Sequence, residues 1–171
     1  MKKTKVKLET VEDALKRAMI LEINGKEFFK MAAKTAESDV SREFFEHMVK
    51  EEEHHLSILE ITFKNLLNEG KVVLPTEEEL EFKFDDPIID KDFLVALKTS
   101  RFDSAAISIA LTFEEKAFKF YQEAEKNTED PEAKKLFRWL VEWEIGHHQT
   151  LLDLEEDYRQ EVWNDSNFWP M

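Results

Sequence analysis

Apolar residues recur at intervals of three and four along four stretches of the chain, the spacing that places them on one face of an α-helix. Thr10 opens a capping-box sequence before the first stretch, Gly70 follows the second, and Asp130 with Pro131 opens the fourth. The pattern predicts an all-α protein. Its helices are expected over residues 11–37, 40–68, 104–126 and 131–160.

The connections between these helices differ in length. Short turns join the first helix to the second and the third to the fourth, so each pair is expected to form an antiparallel hairpin. Residues 69–103 separate the hairpins, and a structureless loop of that length is unusual in a compact domain. We expect a crossover along a bundle whose helices are roughly 40 Å long, with a short extra helix over residues 90–100. Residues 1–171 are predicted to form one domain with a tail over 161–171.

An internal repeat relates the two hairpins. When the sequence is shifted by 92 residues, residues 22–60 align with residues 114–152 without a gap. Phe28 falls on Phe120 and Leu59 on Leu151, and polar positions match as well. The repeat predicts that whatever one hairpin contributes to the interior, the other contributes too.

Glutamates and histidines interrupt the apolar stripe of every helix at a matching height. The second and fourth helices each carry a Glu-x-x-His sequence within the stripe, and the first and third each carry one glutamate. These six residues are the predicted metal ligands: Glu22, Glu52, His55, Glu114, Glu144 and His147.

A second Glu-x-x-His frame, Glu51 with His54, competes with the first. The repeat argues against it, because its counterparts in the fourth helix are Trp143 and Gly146, which cannot reproduce it. Glu53 and His148 likewise have no matching residue at the equivalent position of the other hairpin. We therefore expect five residues on the exposed face: His47, Glu51, Glu53, His54 and His148.

Burying four carboxylates costs several kcal/mol each unless they are paired or bind a metal. No Lys or Arg lies on the four stripes to pair with them. Two divalent cations would cancel the four negative charges, and neutral imidazoles would complete the coordination. Carboxylate and imidazole ligands suit iron(II) or manganese(II) and disfavour copper(I).

Composition narrows the class of protein further. The formal net charge of −14 argues against nucleic acid or an anionic membrane as partner, since both need clustered cations. No apolar run approaches the roughly 20 residues of a membrane span or forms a signal peptide. We expect a cytoplasmic protein. The absence of cysteine excludes disulfides, thiolate metal sites and cysteine nucleophiles from this chain.

The six-residue pattern resembles the dinuclear carboxylate site of the ferritin-like superfamily, in which two helices each give a Glu and two each give a Glu-x-x-His. The flanking text, "LEINGKEFF" with "FFEHMVKEEEHH" and "FEEKAFKFY" with "FRWLVEWEIGHH", is most similar to the rubrerythrin branch. The resemblance covers most of the chain apart from the crossover and the tail. It implies a ferritin-like four-helix bundle built from two repeated hairpins.

The resemblance also implies roles for the six residues. Glu22 would be a terminal ligand of the metal bound by His55, and Glu114 of the metal bound by His147. The two remaining carboxylates, Glu52 and Glu144, would bridge the metals. Rubrerythrin-like proteins use such a diiron centre to reduce hydrogen peroxide with electrons from a rubredoxin-type donor. The resemblance therefore implies two iron ions as the cofactor, with manganese or zinc as alternatives. These proteins commonly form dimers, so a homodimer is expected.

Three features depart from the rubrerythrin pattern. The chain has no cysteine and so no rubredoxin domain, which makes a separate electron donor necessary. Leu111 replaces the extra glutamate one turn before the ligand of the third helix, the residue that permits ligand exchange on oxidation. Tyr121 keeps the tyrosine that follows this ligand and is a candidate to donate a hydrogen bond at the site, whereas the equivalent position after the first helix's ligand is Phe29.

Three hypotheses for function follow. The leading one is a peroxidase or oxidase that reduces hydrogen peroxide or dioxygen. The second is ferritin-like oxidation of iron(II) with iron binding and storage. The third is a structural bundle whose site holds zinc or remains empty.

Overall fold

The computed structural model describes residues 10–76 and 104–165, which contain four α-helices and no β-strand. Their bounds are α1 Val11–Thr35, α2 Asp39–Glu69, α3 Ser104–Asn127 and α4 Pro131–Asp165. The predicted bounds agree to within two residues except at the end of α4. The prediction that this helix ends near residue 160 was wrong, because α4 continues to Asp165 and includes the first part of the predicted tail.

Capping residues start or end the helices at three positions that the sequence indicated. The Thr10 hydroxyl accepts a hydrogen bond from the Asp13 amide at 3.1 Å, which satisfies one of the free amides at the start of α1. Gly70 ends α2 with a φ of 68°, in the left-handed region that glycine adopts without strain. Asp130 caps α4 by accepting from the amides of Glu132 and Ala133, each at 2.9 Å.

The helices pack as two hairpins, α1 against α2 and α3 against α4, and α1 also packs against α3. This confirms the prediction of an all-α four-helix bundle. The start of α1 shares a core cluster with the ends of α2 and α3 and the start of α4. The end of α1 shares the other cluster with the starts of α2 and α3 and the end of α4. The connection between α2 and α3 therefore joins opposite ends of the bundle.

The two clusters lie at either end of the bundle, and the glutamates and histidines lie between them. One cluster contains Leu15, Leu59 and Phe137, and the other contains Phe29, Phe45 and Leu151. Because apolar packing closes the bundle above and below the polar layer, carboxylates in that layer are isolated from bulk water along the bundle axis.

After α2 the chain folds back over the end of the bundle, where Val72 is buried. The Val73 carbonyl accepts a hydrogen bond from the side-chain amide of Asn65 at 3.4 Å. The rest of the predicted crossover, including the expected short helix over 90–100, lies outside the described residues, as does the tail after 165. None of the helices described is both long enough and apolar enough to cross a membrane.

Candidate metal centre

The six residues predicted as metal ligands come together in one buried layer. Each helix brings its residue or pair inward at mid-length, and none of the six is more than 9% exposed. Glu22 lies on α1, the pair Glu52 and His55 on α2, and Glu114 on α3. The remaining pair, on α4, follows the same Glu-x-x-His spacing. The inward placement follows from the 3.6-residue period, since the positions lie on the same face as the apolar residues one turn away.

The potential ligand atoms of these residues form two groups that share members. In each group one ligand atom per residue lies within 4.8 Å of the others, a spread suited to a single ion. The first group is Glu22, Glu52, His55 and Glu144, and the second is Glu52, Glu114, Glu144 and His147. Glu52 and Glu144 belong to both groups, which is the position that the bridging role requires.

Both histidines turn their Nδ1 atoms towards the carboxylates. His55 Nδ1 lies 3.2 Å from Glu22 Oε2 and 3.2 Å from Glu144 Oε1. His147 Nδ1 lies 3.6 Å from Glu114 Oε2 and 3.8 Å from Glu144 Oε2. The two imidazole rings lie nearly parallel with their centroids 5.6 Å apart. Each histidine therefore offers one nitrogen to its own group of potential ligands, and Glu144 is common to both groups.

The donor set fits a pair of divalent ions. His147 Nδ1 and Glu114 Oε2 are buried and make no hydrogen bond with the described residues, although they face each other at 3.6 Å. Unsatisfied buried polar atoms are costly, and a cation between them would satisfy both. Lys and Arg are absent from the buried residues of the described chain. Hard carboxylate oxygens with imidazole nitrogens suit iron(II), manganese(II) or zinc(II).

Crowding of the carboxylates changes their protonation in the metal-free protein. Burial and then the neighbouring carboxylates raise the pKa values of Glu52 and Glu114 well above the usual 4.5. Burial acts in the same direction on Glu144, but its close contacts with Glu114, His147 and His55 outweigh burial and hold its pKa well below that value. When no metal is bound, protons on these carboxyl groups therefore reduce the negative charge that metal ions would otherwise neutralise.

The two histidines hold protons as well. Burial lowers the pKa of His55, yet the carboxylates of Glu22 and Glu144 outweigh this and raise it from 6.5 to about 9. Burial opposes the same shift at His147, whose contacts with Glu114, Glu144 and Glu51 raise its pKa well above 6.5. A metal must displace these protons, since a ligating imidazole is neutral.

The metal-free protein is expected to lose stability as the pH rises from about 6.5 to about 9. His55 has a higher pKa folded than unfolded, so its stabilising contribution is complete below 6.5 and is lost as the pH passes through about 9. Denaturant titrations in the presence of a chelator at pH 6.5 and pH 9.5 would measure the loss. Metal-loaded protein is the control and should show a smaller change; equal metal-free stability at both pH values would contradict the assignment.

Tyr121 lies against the centre from α3. Its side chain is fully buried, and its hydroxyl donates a hydrogen bond to Glu22 Oε1. Burial and then the negative charge of Glu22 and Glu144 raise the pKa of the phenol well above 10, so the hydroxyl keeps its proton. The ring stacks on Phe137 at 6.3 Å between centroids. This arrangement fixes the orientation of the Glu22 carboxylate.

Two residues that were predicted to be exposed are buried. His47 is 7% exposed and Glu51 is 4% exposed, so this part of the prediction was wrong. Glu51 accepts a hydrogen bond from Trp143 Nε1 at 2.7 Å and lies 3.2 Å from His47 Nε2. His54 and His148 are partly buried, and only Glu53 is fully on the exposed face. The sequence did contain a signal for this burial. His47 and Glu51 are four residues apart and lie beside the apolar stripe of α2, and the buried face of a bundle helix is wider than a single stripe.

Burial and hydrogen bonding act in opposite directions on Glu51. Burial raises the pKa of its carboxyl, but the contacts with His147 and His47 outweigh that effect and lower it from 4.5 to about 2. Glu51 is therefore ionised at neutral pH, one residue away from Glu52 but on a different side of α2.

A cavity of about 430 Å³ lies at the seam between α2 and α4, beside this cluster. Its lining includes Glu51, Trp139, Trp143 and the metal-site residue His147. Gly146 contributes to the opening, since a Cβ at that position would meet no atom within 4 Å. Among the described residues, this cavity brings solvent-accessible space to His147 and not to His55.

Comparison with known proteins agrees with this geometry. The family model described as Rubrerythrin matches residues 13–157, which contain all six residues of the centre. The chain belongs to the rubrerythrin family. No curated protein matches the chain.

Two solved structures are similar to it. A hypothetical protein from Pyrococcus furiosus is 26% identical, with a TM-score of 0.64 over 91% of this chain and 94% of the other. A structure described as CopM in the Cu(II)-bound form is 15% identical, with a TM-score of 0.57 over 86% of this chain and 97% of that one. The second likeness shows the shared fold alone.

Proposed function

We propose that this rubrerythrin-family protein is a diiron-carboxylate oxidoreductase that reduces hydrogen peroxide, or dioxygen, with electrons from a separate donor. The observation that carries the proposal is the pair of four-residue groups that share Glu52 and Glu144. A structural ion needs only one closed set of ligands, whereas two adjacent ions held by common carboxylates form the two-metal template suited to a small oxidant.

In this proposal each residue has a distinct role. Glu22 and Glu114 would be terminal ligands of the metals at His55 and His147, respectively. Glu52 and Glu144 would bridge the two metals, because each belongs to both groups of potential ligands. Tyr121 holds Glu22 through its hydrogen bond and prevents that carboxylate from rotating. The apolar clusters at both ends of the layer limit the entry of water.

The reduction of one hydrogen peroxide to two waters requires two electrons and two protons. A pair of iron(II) ions held by these residues would supply the two electrons, one from each ion, on oxidation to iron(III). Carboxyl and imidazole groups of the cluster that hold protons in the metal-free protein release them on metal binding, so the two protons for water formation come from solvent. The cavity beside His147 brings solvent-accessible space to the centre.

Electrons to restore iron(II) must reach the centre from another molecule. The chain has no cysteine and therefore no rubredoxin-type iron site of its own. We propose a separate rubredoxin-type protein as the donor.

Rapid mixing tests the proposed reaction. Protein loaded anaerobically with iron(II) and freed of excess metal would be mixed with hydrogen peroxide and, separately, with dioxygen, while the near-ultraviolet ferric absorption is followed. The proposal predicts that about two irons per chain are oxidised and that peroxide acts faster. A faster reaction with dioxygen would indicate an oxidase or iron-handling protein, and failure to retain iron would contradict the diiron proposal.

The Tyr121→Phe variant is expected to lose about 1–3 kcal/mol of unfolding free energy, because a buried hydrogen bond to a carboxylate disappears. The smaller side chain is tolerated, since the repeat-related position holds Phe29, which is fully buried. Denaturant titration measures the loss. Phe120→Tyr is the control. It makes the reverse change, adding a hydroxyl, at the neighbouring partly buried position away from Glu22. An unchanged unfolding free energy in Tyr121→Phe would show that the hydrogen bond does not form.

A further inference from the structure

We propose that the two metal positions are inequivalent and that Glu51 makes the position at His147 the tighter one, so that this position fills first. This inference rests on the proposed metal centre. It assigns to Glu51 a positioning role: it acts on the metal through His147 and is not itself a ligand.

The two metal positions differ because the two halves of the internal repeat are not identical. The 92-residue shift that superposes the ligands pairs His47 with Trp139 and Glu51 with Trp143. A histidine and a glutamate on α2 therefore correspond to two tryptophans on α4. The ligands are repeated, but the residues that lie behind the histidines are not.

On the His147 side, the outer nitrogen of the imidazole faces a carboxylate. His147 Nε2 lies 3.8 Å from Glu51 Oε2, while its Nδ1 faces the centre. Trp143 Nε1 donates to the same Oε2 at 2.7 Å, and His47 Nε2 lies 3.2 Å from Oε1. Glu51 is thus held on both oxygens. His147 Nε2 makes no hydrogen bond with the described residues in this arrangement, but the Glu51 carboxylate is the acceptor that it faces at 3.8 Å.

On the His55 side, the outer nitrogen faces aromatic rings. His55 Nε2 is buried and has no hydrogen-bond partner among the described residues. The rings of Trp139 and Trp143 pack nearly perpendicular to the imidazole, with centroids 5.7 Å and 5.4 Å from that of His55. Trp143 therefore contacts both sides: its ring packs on His55, and its N–H fixes the carboxylate behind His147.

This difference has a chemical consequence. A carboxylate that accepts from the outer N–H of a ligating histidine orients the ring and makes the inner nitrogen a stronger donor. Removing such a partner lowers metal affinity by roughly 10- to 100-fold. The cavity is lined by His147 and Glu51, so an ion from solvent also reaches that side first, which affects the rate of filling and not the affinity.

Titration of the metal-free protein with cobalt(II), followed by its visible absorption and by calorimetry, tests the inference. Two binding steps with different affinities are expected. Glu51→Gln keeps the shape but removes the charge, and it should weaken the tighter step by roughly 10- to 100-fold and leave the weaker step unchanged. Glu53→Gln is the matched control, since the Glu53 side chain is 51% exposed on the same turn of α2.

Combined variants assign the steps to the histidines. In a His55→Ala background, the tighter step and its sensitivity to Glu51→Gln should both remain. In a His147→Ala background, the tighter step should be lost and Glu51→Gln should have no further effect. Trp143→Phe, which keeps a ring against His55 but removes the N–H, should reproduce part of the Glu51→Gln effect.

Several results would overturn the inference. Two ions bound with equal affinity, or an equal loss at both steps in Glu51→Gln, would refute it while leaving the proposed centre intact. Sensitivity to Glu51 that persists in the His147→Ala background would also refute it. Failure of the wild-type protein to bind cobalt(II) or iron(II) would overturn both the inference and the proposed function.

Discussion

Glu144→Gln is expected to abolish tight binding of both metal ions. Glu144 belongs to both groups of potential ligands, and it lies within 3.2 Å of His55 Nδ1 and 3.8 Å of His147 Nδ1. An amide has the shape of the carboxylate but supplies no negative charge, so each ion loses a charged ligand. Metal affinity should fall at both positions by on the order of 100-fold or more, because metal ligands act in their deprotonated form.

The same variant should also destabilise the metal-free protein. Glu144 is the carboxylate of the layer whose pKa is held low, and it compensates the protons on His55 and His147. Removing one partner of a buried ion pair typically costs about 3–5 kcal/mol. Metal content after desalting and denaturant titration in chelator measure the two effects. Glu123→Gln, at an exposed position of α3, is the control for the chemical change.

Two bound ions per chain in Glu144→Gln would contradict the bridging role. Loss of only one ion would show that Glu144 serves a single position, and the assignment of the shared carboxylates would have to be revised.

Gly25→Ala is expected to impair metal binding although alanine favours a helix. Gly25 is buried in α1, and a Cβ there would lie 2.9 Å from Glu52 Oε2 and 3.1 Å from Glu52 Cδ. These separations are too short, so the Glu52 carboxylate must move away from its position in the layer. Because a bridging carboxylate serves two ions, we expect the affinity for both to fall, by roughly 10-fold or more.

Gly146→Ala is the matched control for this variant. It makes the same change in a helix, but the added Cβ meets no atom within 4 Å. Its unfolding free energy should rise by about 0.5–1 kcal/mol, because alanine loses less conformational entropy than glycine. Its cobalt(II) and iron(II) affinities should match those of the wild type. Unchanged metal affinity in Gly25→Ala, measured beside this control, would show that Glu52 does not need the space that glycine leaves.

The sequence predicted the fold well because strong local signals agree with the packing. The caps at Thr10, Gly70 and Asp130 have short-range causes and were predictable, and the apolar stripes identified the buried faces of the helices. The repeat then distinguished Glu52 from its neighbours Glu51 and Glu53, and the structure places Glu52 in both groups of potential ligands. Whether the six residues bind metal remains a prediction.

The prediction failed where burial depends on contacts between helices. The repeat places Trp143 at the position equivalent to Glu51, so comparison of the hairpins assigned Glu51 to the surface. Its burial depends on the Trp143 indole on α4, a contact between residues 92 apart that no local pattern reveals. The comparison of the hairpins did indicate this contact. Trp143 occupies the position equivalent to Glu51, and residues at equivalent positions of two repeats can face each other across the bundle.

Anomalous diffraction from crystals of iron-loaded protein, collected at the iron edge, would show whether the buried layer holds a diiron centre. Two iron peaks about 3.5–4 Å apart are expected in this layer. One should be bound by His55 and Glu22 and the other by His147 and Glu114, with Glu52 and Glu144 between them. A single peak, or iron bound away from this layer, would contradict the diiron centre.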